Sequence, residues 1–411
     1  MPKRNDTLAA AKDKKSDEFY TQFEDIQREI NAYLEFNPDT FRDKTVLLPC
    51  DDPEWSNFTR FFAQNFEMLG LKKLISTSYA TESKKAHETV QLSLFDFLTE
   101  YETNSPKYDE VKSPVKGKIF TLTRGEDSTK RLDIDDLQWD YLEGDGDFRS
   151  LEVTKLRDEA DIIVTNPPFS LFREFLAWIM KANKRFLIIG NVNCVSYKEV
   201  FPLIKENKIW TGCRFNERVN GKNQIFRVPD SYPMTGTELY VGADGKKYIS
   251  VPGTGWITNL DHGRRHQPYP LMTMADNLKF SSHSEIKEEG YVKYDNYDAL
   301  EVPFGDAIPS DYKGVMGVPI TFIKYLCPEQ FEIIGLLQSS TDEQAGIPNL
   351  RYYDDFKEMR QDMTYTGASG RKANGNPVLK GKSKKGNFLY NAETNEYVHS
   401  AYARIAIKMK G

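Results

Sequence analysis

Four consecutive residues, Asn166-Pro167-Pro168-Phe169, place polar acceptors, two prolines and an aromatic ring directly after the predicted buried strand at 160–165. The side-chain oxygen of Asn166 and the backbone carbonyl of Pro167 would accept hydrogen bonds from both N–H groups of an exocyclic amine, which frees the nitrogen lone pair for attack. The prolines fix the backbone, so the acceptors need no reorganisation during the reaction. Phe169 offers a face for an unstacked base, an interaction of roughly 1–3 kcal/mol. The pattern predicts transfer of a cofactor-activated methyl group to a nucleobase amine.

The same tetrapeptide also suits a rigid connector between a strand and a helix, with Asn166 in the turn and Phe169 in the core. Its position favours the catalytic interpretation, because open α/β sheets bind ligands at the carboxyl ends of their strands. A sulfonium methyl group is already activated and needs no strong general base. The small number of histidines, 5 in the chain, agrees with that chemistry.

Apolar runs and helix-spaced side chains alternate along residues 45–190, which is typical of a parallel sheet with helices outside it. Strands are predicted at 45–48, 73–77, 118–123, 131–134, 160–165, 185–189, 318–322 and 331–334. Helices are predicted from a cap at Ser16 or Asp17 to Leu34, from about 57 to 66, and at 171–180, with 80–118 as an insertion. The predicted fold class is α/β, with a doubly wound, mostly parallel, Rossmann-like sheet.

The length of 411 residues, with 39% hydrophobic and 28% charged residues, indicates a globular protein of two domains. It excludes collagen-like and low-complexity chains. No apolar run approaches the roughly 20 residues that span a bilayer, and no hydrophobic segment follows the N-terminal charges. The 4 cysteines lie singly, without a zinc or disulfide pattern. We therefore expect a cytoplasmic protein with no metal site and no membrane partner.

Charge is distributed unevenly along the chain. The whole sequence has a net charge of −6, but residues 370–411 hold nine basic and two acidic side chains. That segment therefore carries +7, and residues 1–369 carry −13. A polyanion would be bound by a local basic surface. The alternative is a solvated basic segment with no partner.

Five short blocks occur in order along the chain: DEFYT at 17–21, LPCDDPEWSNF at 48–58, GDGDF at 144–148, NPPF at 166–169 and GVPITF at 317–322. With these blocks the chain resembles amino-methyltransferases that use S-adenosylmethionine. The second and fifth blocks make it similar, more narrowly, to the adenine-specific DNA methyltransferases of the EcoRI modification methylase family. The resemblance runs from residue 17 to about residue 337 and implies a class I methyltransferase fold.

The resemblance implies a role for each matching residue. Thr21 with Tyr20 would contact the methionine carboxylate of the cofactor, and the loop after the first strand would face the methionine amine and the ribose. Asp147 would accept a hydrogen bond from the cofactor's adenine amine, and Phe148 would flank the adenine ring. The implied cofactor-binding residues are Tyr20, Thr21, Pro49, Asp51, Asp52, Pro53, Ser56, Asp147, Phe148 and Asn166.

The sequence also differs from the usual methyltransferase pattern. Trp55-Ser56-Asn57 occupies the place of a glycine-rich loop, and Gln22 follows Thr21 where proline is frequent. The second strand ends in residues 76–79, STSY, without the acidic residue that commonly holds the ribose.

The polar residues at the N-terminus predict a flexible arm at 1–16. A change in composition beyond about residue 290, together with motif order, predicts a cofactor-binding catalytic domain at 17–292 and a smaller α+β target-recognition region at 293–411. The partner would be double-stranded DNA, from which the target adenine is flipped out, with or without a cognate restriction endonuclease acting at the same site. The predicted DNA-binding residues are Arg264, Arg265, Arg371, Lys372, Lys382, Lys384 and Lys385.

Other functions use the same residues. An RNA methyltransferase acting on adenine N6 or guanine N2 requires the same amine chemistry, and a glutamine amide in a protein is a third substrate that the basic segment disfavours. A catalytically silent nucleic-acid-binding protein on a methyltransferase scaffold is the alternative outside enzymes.

Overall fold

The computed structural model describes residues 20–80, 105, 107–125, 138–216, 225–228, 239–250, 253–338, 344–384 and 386–410. The described residues of Met1–Val192 and Trp210–Gly263 form one compact unit, and those of Asn193–Ile209 and Arg264–Gly411 form a second. The main division therefore lies after residue 263, nearer the N-terminus than the boundary predicted at 293. The predicted arm at 1–16, the strand at 131–134 and Lys385 lie outside the described residues.

An eight-stranded sheet forms the centre of the first unit. The strands of this unit are β1 Tyr20–Thr21, β2 Thr45–Leu48, β3 Lys73–Ser78, β4 Lys118–Thr123, β5 Trp139–Tyr141, β6 Ile162–Thr165, β7 Arg185–Asn191, β8 Trp210–Thr211, β9 Ile225–Arg227, β10 Leu239–Val241, β11 Lys247–Ser250 and β12 Thr254–Thr258. The spatial order of the large sheet is β5-β4-β3-β2-β6-β7-β12-β8. Strands β3, β2, β6 and β7 are parallel, whereas β4 and β12 are antiparallel to their neighbours. The predicted α/β class and the mostly parallel sheet are confirmed.

Helices cover both faces of this sheet. They are α1 Phe23–Phe36, α2 Asn57–Gln64, α3 Phe66–Leu69, α4 Leu151–Glu159 and α5 Phe172–Lys181. On one face, Val46 and Leu48 of β2 share a buried cluster with Ile30 of α1 and Phe62 of α2. On the other face, Gly190 of β7 lies so close to α5 that a Cβ there would be 2.7 Å from the Phe172 ring. This two-sided burial explains why residues 46–48 of β2 and 162–164 of β6 are all apolar.

The helix predicted from residue 16 begins later than expected. Tyr20–Thr21 is a strand that pairs antiparallel with β9, through Thr21 and Phe226, in a separate four-stranded sheet of order β1-β9-β11-β10. Helix α1 follows from Phe23, after Gln22 in an extended conformation. The helical prediction for residues 20–22 was wrong because a strand partner some two hundred residues away decides their structure.

The second unit contains short helices and two further sheets. Its helices are α6 Phe201–Lys205, α7 Met274–Phe280 and α8 Ser284–Glu289. Its strands are β13 Leu300–Glu301, β14 Met316–Pro319, β15 Phe331–Leu337, β16 Lys357–Met359, β17 Tyr365–Ser369, β18 Val378–Lys380, β19 Phe388–Asn391, β20 Glu396–Ser400 and β21 Arg404–Met409. The sheet orders are β13-β14-β21-β15 and β17-β16-β19-β20-β18. The strand predicted at 318–322 ends at Pro319, where a 3₁₀ turn over Ile320–Tyr325 begins.

Candidate active site

Two loops meet where the strand order of the large sheet reverses. From β2 the chain moves to β3 on one side, and β6 lies on the other side of β2. In open parallel sheets this reversal creates a crevice at the carboxyl ends of the strands, where ligands bind. Residues 49–56 follow β2 and residues 166–169 follow β6, so the structure brings the predicted cofactor loop and the predicted catalytic tetrapeptide to one edge.

Asp51 is the centre of the first loop and is 5% exposed. Its Oδ1 accepts a hydrogen bond from Ser56 Oγ at 2.7 Å, and its Oδ2 accepts one from Thr165 Oγ1 at 2.6 Å. Burial disfavours the charged form and raises the pKa of Asp51 to about 7, although both hydroxyl donors act in the opposite direction. The Asp51 carboxylate therefore connects α2 and β6, and both of its oxygens already accept a hydrogen bond from the protein. This leaves fewer acceptor positions for contact with a cofactor.

Ser56 has a second structural role at the start of α2. Its Oγ accepts a hydrogen bond from Phe58 N at 3.0 Å, the bond of a helix N-cap. The neighbouring Asn57 donates through Nδ2 to the backbone oxygen of Thr21 at 2.8 Å. Ser56 and Asn57 together thus tie strand β1 and the start of α2 to the loop that contains Asp51. Pro49 and Pro53 of the same loop are buried.

A buried lysine fixes the rest of this loop. Lys118, at the start of β4 and 5% exposed, lies 2.7 Å from Glu54 Oε2 and 3.2 Å from Asp52 Oδ2. Asp52 Oδ1 also accepts a hydrogen bond from Glu54 N at 2.9 Å. Side-chain contacts therefore fix this loop. In the usual methyltransferase pattern, a glycine-rich loop at this position brings its backbone close to the cofactor.

The tetrapeptide starts directly after β6. Asn166 and Phe169 are partly exposed at the edge of the sheet, and Pro167 is buried. Pro168 has φ −54° and ψ 126°, and it precedes the 3₁₀ turn Phe169–Leu171 that leads into α5. The Phe169 ring packs against the buried cluster of the first unit. The segment is therefore both a strand-to-helix connector and a rigid carrier of the two candidate acceptors.

The GDGDF segment packs against the end of β3. Gly146 has φ +81°, and a Cβ at this position would overlap the carbonyl oxygen of Ser78. Asp147 is paired with Arg149, with 2.7 Å between Oδ2 and Nη2. Phe148 is fully buried, with its ring centroid 5.0 Å from Phe175. The ring of Phe148 thus has no exposed face in this structure, and it anchors the segment that presents Asp147.

Two buried hydroxyl groups border the same loops. Thr21 Oγ1 and Ser78 Oγ have no hydrogen-bond partner among the residues that the structure describes, although both side chains are at least nine-tenths buried. Buried polar groups are normally satisfied, so these two hydroxyls are candidates for hydrogen bonds to a polar ligand. Ser78 ends β3, and the backbone oxygen of Thr21 accepts a hydrogen bond from Asn57, the first residue of α2. This observation fits a polar cofactor beside the Asp51 loop.

Comparison with known proteins identifies the family. The family model described as adenine-specific methyltransferase EcoRI matches residues 7–410 of the chain. The chain belongs to this family. The resemblance seen in the five blocks and the predicted enzyme class, an adenine-specific DNA methyltransferase, are both confirmed.

Individual relatives agree with the family. Type II methyltransferase M.EcoRI of Escherichia coli is 44% identical over 343 residues, covering 84% of this chain and 93% of that protein. Type II methyltransferase M.MpnI of Mycoplasma pneumoniae is 33% identical over 329 residues, covering 80% and 84%. Type II methyltransferase M.MgeORF184P of Mycoplasma genitalium is 33% identical over 330 residues, covering 80% and 85%. No solved structure matches the chain significantly.

Six of the seven predicted DNA-binding residues are described, and all six lie in the second unit. Their contacts are Arg265 with Asn207, Arg264 over the Tyr325 ring, Arg371 with Asp354, Lys372 with Glu358, Lys382 over the Tyr397 ring and Lys384 with Glu289. In two of the three ion pairs, those of Arg371 and Lys384, both side chains are exposed, and such pairs contribute about 1 kcal/mol or less. Phosphate could therefore replace these two carboxylate partners at little cost.

Sequence reasoning missed several residues around the candidate site. Lys118 and Thr165 were read as parts of strands, since only the folded sheet shows which carboxylates they contact. Tyr79 accepts a hydrogen bond from Phe148 N at 3.2 Å, and burial raises its pKa. Arg149, which pairs with Asp147, directly follows the GDGDF block. Its position next to the block was the only feature of the sequence that could have indicated it.

The described residues contain no cluster of three or more His, Cys, Asp or Glu side chains that could hold a metal ion. His262 and His266 lie four residues apart but have different partners. The His266 ring lies 2.8 Å from Glu329 Oε1, and the His262 ring lies 2.9 Å from the backbone oxygen of Thr211. Among the described helices, none is long and apolar enough to cross a membrane.

Proposed function

We propose that this chain transfers a methyl group from S-adenosylmethionine to N6 of an adenine flipped out of double-stranded DNA. The observation that carries this proposal is the position of Asn166-Pro167-Pro168-Phe169 at the reversal point of the sheet, joined through Thr165 to the Asp51 loop. Family membership supports the adenine specificity.

The residues of the first unit fit this cofactor. S-adenosylmethionine supplies a methyl group on a sulfonium, which is already activated for transfer. The unsatisfied Thr21 hydroxyl suits the methionine carboxylate, and Asp147 suits the adenine amine of the cofactor. Asp52 and Pro53 lie in the loop after β2 and would contact the cofactor. Asp51, Ser56 and Phe148 would act indirectly, by fixing the conformation of the segments around the cofactor.

Catalysis depends on acceptor geometry. Asn166 Oδ1 and the Pro167 carbonyl each accept one N–H of the target amine, which moves the nitrogen toward tetrahedral geometry and makes its lone pair available. Pro167 and Pro168 keep these acceptors fixed, so stabilisation is present before the reaction begins. The partly exposed Phe169 ring stacks on the flipped base.

The second unit would supply target recognition. Its basic residues, among them Arg264, Arg371 and Lys382, would contact phosphates and position the duplex. Because the relatives are named Type II methyltransferases, a cognate restriction endonuclease acting on the same site is a further expected partner.

The decisive test is methylation by wild type and by Asn166→Ala. Wild type should produce N6-methyladenine at one sequence in duplex DNA and little in matched RNA. Asn166→Ala should lose about a hundredfold to a thousandfold in single-turnover rate, while S-adenosylmethionine binding by calorimetry changes little. Asn65→Ala, which removes an amide outside the site, is the control. Near-normal turnover in Asn166→Ala would remove the mechanism, and product in RNA alone would favour the RNA methyltransferase.

A further inference from the structure

Thr165 lies between the two functional loops of the first unit. It is the last residue of β6 and directly precedes Asn166. Its side chain is fully buried, and its hydroxyl donates to Asp51 Oδ2 at 2.6 Å. The same residue thus touches the cofactor loop through its side chain and the tetrapeptide through its backbone.

Asp51 connects Thr165 to the other elements around the crevice. Its second oxygen accepts from Ser56, the N-cap of α2, at 2.7 Å. Its backbone oxygen accepts from Ser76 Oγ at 2.6 Å, and its backbone N–H donates to the Thr77 oxygen at 2.9 Å. The loop after β2 is therefore fixed to β3, to α2 and to β6 at one residue.

Burying the Asp51 carboxylate between two hydroxyl groups lowers the stability of the folded protein, so stability does not explain this arrangement. A buried carboxylate loses its hydration, and the two side chains that bond its oxygens are neutral hydroxyls with no compensating charge. An apolar side chain of similar size in each place would satisfy the packing. The hydroxyl contacts add hydrogen bonds of defined direction. Because the branched Thr165 side chain has few rotamers in a strand, the direction of its hydrogen bond is restricted further.

We propose that Thr165 is a positioning residue that couples the cofactor loop to the catalytic tetrapeptide. The hydrogen bond to Asp51 fixes the rotation of the β6 terminus, and with it the direction in which Asn166 and the Pro167 carbonyl point. In return, the bond keeps the Asp51 loop in the conformation that binds the cofactor. The proposal rests on the function proposed above, and it adds a determinant outside the tetrapeptide.

The test compares Thr165→Val, which keeps the shape but removes the hydroxyl, with Thr165→Ser, which keeps the hydroxyl. Thr258→Val is the matched control, because Thr258 is also fully buried in the same sheet and its hydroxyl donates to the Phe186 oxygen at 2.7 Å. Single-turnover methylation and calorimetric binding of S-adenosylmethionine are measured for each variant, with melting temperatures as the check on folding.

Thr165→Val should lower the single-turnover rate on the order of tenfold and weaken cofactor binding several-fold, because small misplacements of reacting groups have large effects. Thr165→Ser should stay within about threefold of wild type, and Thr258→Val should lose stability but neither rate nor affinity. If Thr165→Val matches Thr258→Val, or if Val and Ser are equally impaired, the hydroxyl has no positioning role and the inference is wrong.

The two proposals fail in different ways. Absence of methylated adenine with the wild-type enzyme would overturn the proposed function, and the calorimetric comparison of the Val and Ser variants would still decide the role of Thr165. Should Thr165→Val not fold, Ser56→Ala removes the opposite donor to Asp51, and the coupling predicts a fall in single-turnover rate there as well. An unchanged rate in Ser56→Ala would count against the coupling.

Discussion

Lys118 and Glu54 form a buried ion pair, with 2.7 Å between Nζ and Oε2. The ammonium also lies 3.2 Å from Asp52 Oδ2 and 4.9 Å from the centre of the Trp139 ring. Two carboxylates of the loop after β2 therefore share one cation from the neighbouring part of the sheet. This contact explains how a loop with tryptophan, serine and asparagine in place of glycines is held in one conformation beside the crevice.

Replacing Lys118 by Met should destabilise the protein and the cofactor loop together. The change leaves two largely buried carboxylates without their cation, for which we expect a loss of about 3 kcal/mol in the free energy of unfolding. S-adenosylmethionine affinity should fall in the same variant. Denaturant unfolding and calorimetry measure the two effects.

Lys73→Met is the control for this prediction. Lys73 pairs with Glu159 at 2.7 Å in the same sheet, but both side chains are partly exposed, so the loss should be about 1 kcal/mol or less. Equal losses in the two variants would show that burial of the Lys118 pair has no special effect.

Gly146→Ala should disrupt the segment that presents Asp147. Gly146 combines φ +81° with direct contact to the Ser78 carbonyl, so alanine meets both backbone strain and steric overlap. Gly125 has φ +95° with open space around its Cβ position, so Gly125→Ala measures the strain alone. We expect losses of about 3 kcal/mol for Gly146→Ala and about 1 kcal/mol for Gly125→Ala. Thermal unfolding that ranked the two variants the other way would refute the packing argument.

The core strands were predictable because they are buried on both faces. Residues 46–48 and 162–164 are apolar without interruption, and the helices that cover them carry apolar side chains at helical spacing, as in Phe58, Phe61 and Phe62. The order of these elements along the chain sufficed to place the tetrapeptide at the carboxyl end of a parallel strand.

Elements that depend on distant partners were not predictable in the same way. Strand β12 has the sequence TGWIT and is defined by its pairing with β7, and β1 exists only through its pairing with β9. At the candidate site, the sequence blocks predicted Asp51 and Asn166 as site residues. They did not predict that the Thr165 hydroxyl donates to Asp51 or that Lys118 forms an ion pair with Asp52. Those contacts arise from side chains far apart in sequence that the sheet brings together.

Glu29→Gln should reduce the pH dependence of stability. Glu29 is fully buried in α1, and its carboxylate accepts hydrogen bonds from Cys213 N at 2.8 Å and Arg214 N at 2.9 Å. Burial raises the pKa of Glu29 from 4.5 to about 7, so the folded state holds this proton more tightly than the unfolded state. The stabilisation is complete below about pH 4.5 and is lost as the pH rises to about 7.

Between pH 5 and pH 8, wild type should therefore lose more stability than Glu29→Gln, by an amount on the order of 3 kcal/mol or less. The glutamine variant should also be less stable at every pH, because its amide cannot accept from both N–H groups. Glu67→Gln, at an exposed position of α3, should retain the wild-type profile. Parallel profiles for wild type and Glu29→Gln in urea unfolding would rule out this titration.

Changing Lys382, Lys384 and Lys385 to Ala should weaken DNA binding and flatten its salt dependence. Lys384 pairs with Glu289, which raises the pKa of Lys384. The Lys382 ammonium is exposed and lies 4.5 Å from the Tyr397 ring centre. Each phosphate contact that is lost should lower the slope of log affinity against log salt concentration by about 0.9. Binding to cognate and to unrelated duplexes should weaken alike, because phosphate contacts carry no sequence information.

A triple change of three exposed lysines in the first unit, Lys72, Lys155 and Lys181, alters the net charge equally and serves as the control. If the basic segment of the second unit contacts the duplex, its variant should lose up to about three units of slope and the control well under one. Equal slopes for the two triple variants would mean that net charge, and not a local surface, governs binding. A slope unchanged from wild type in the Lys382, Lys384 and Lys385 variant would exclude this segment as the phosphate contact.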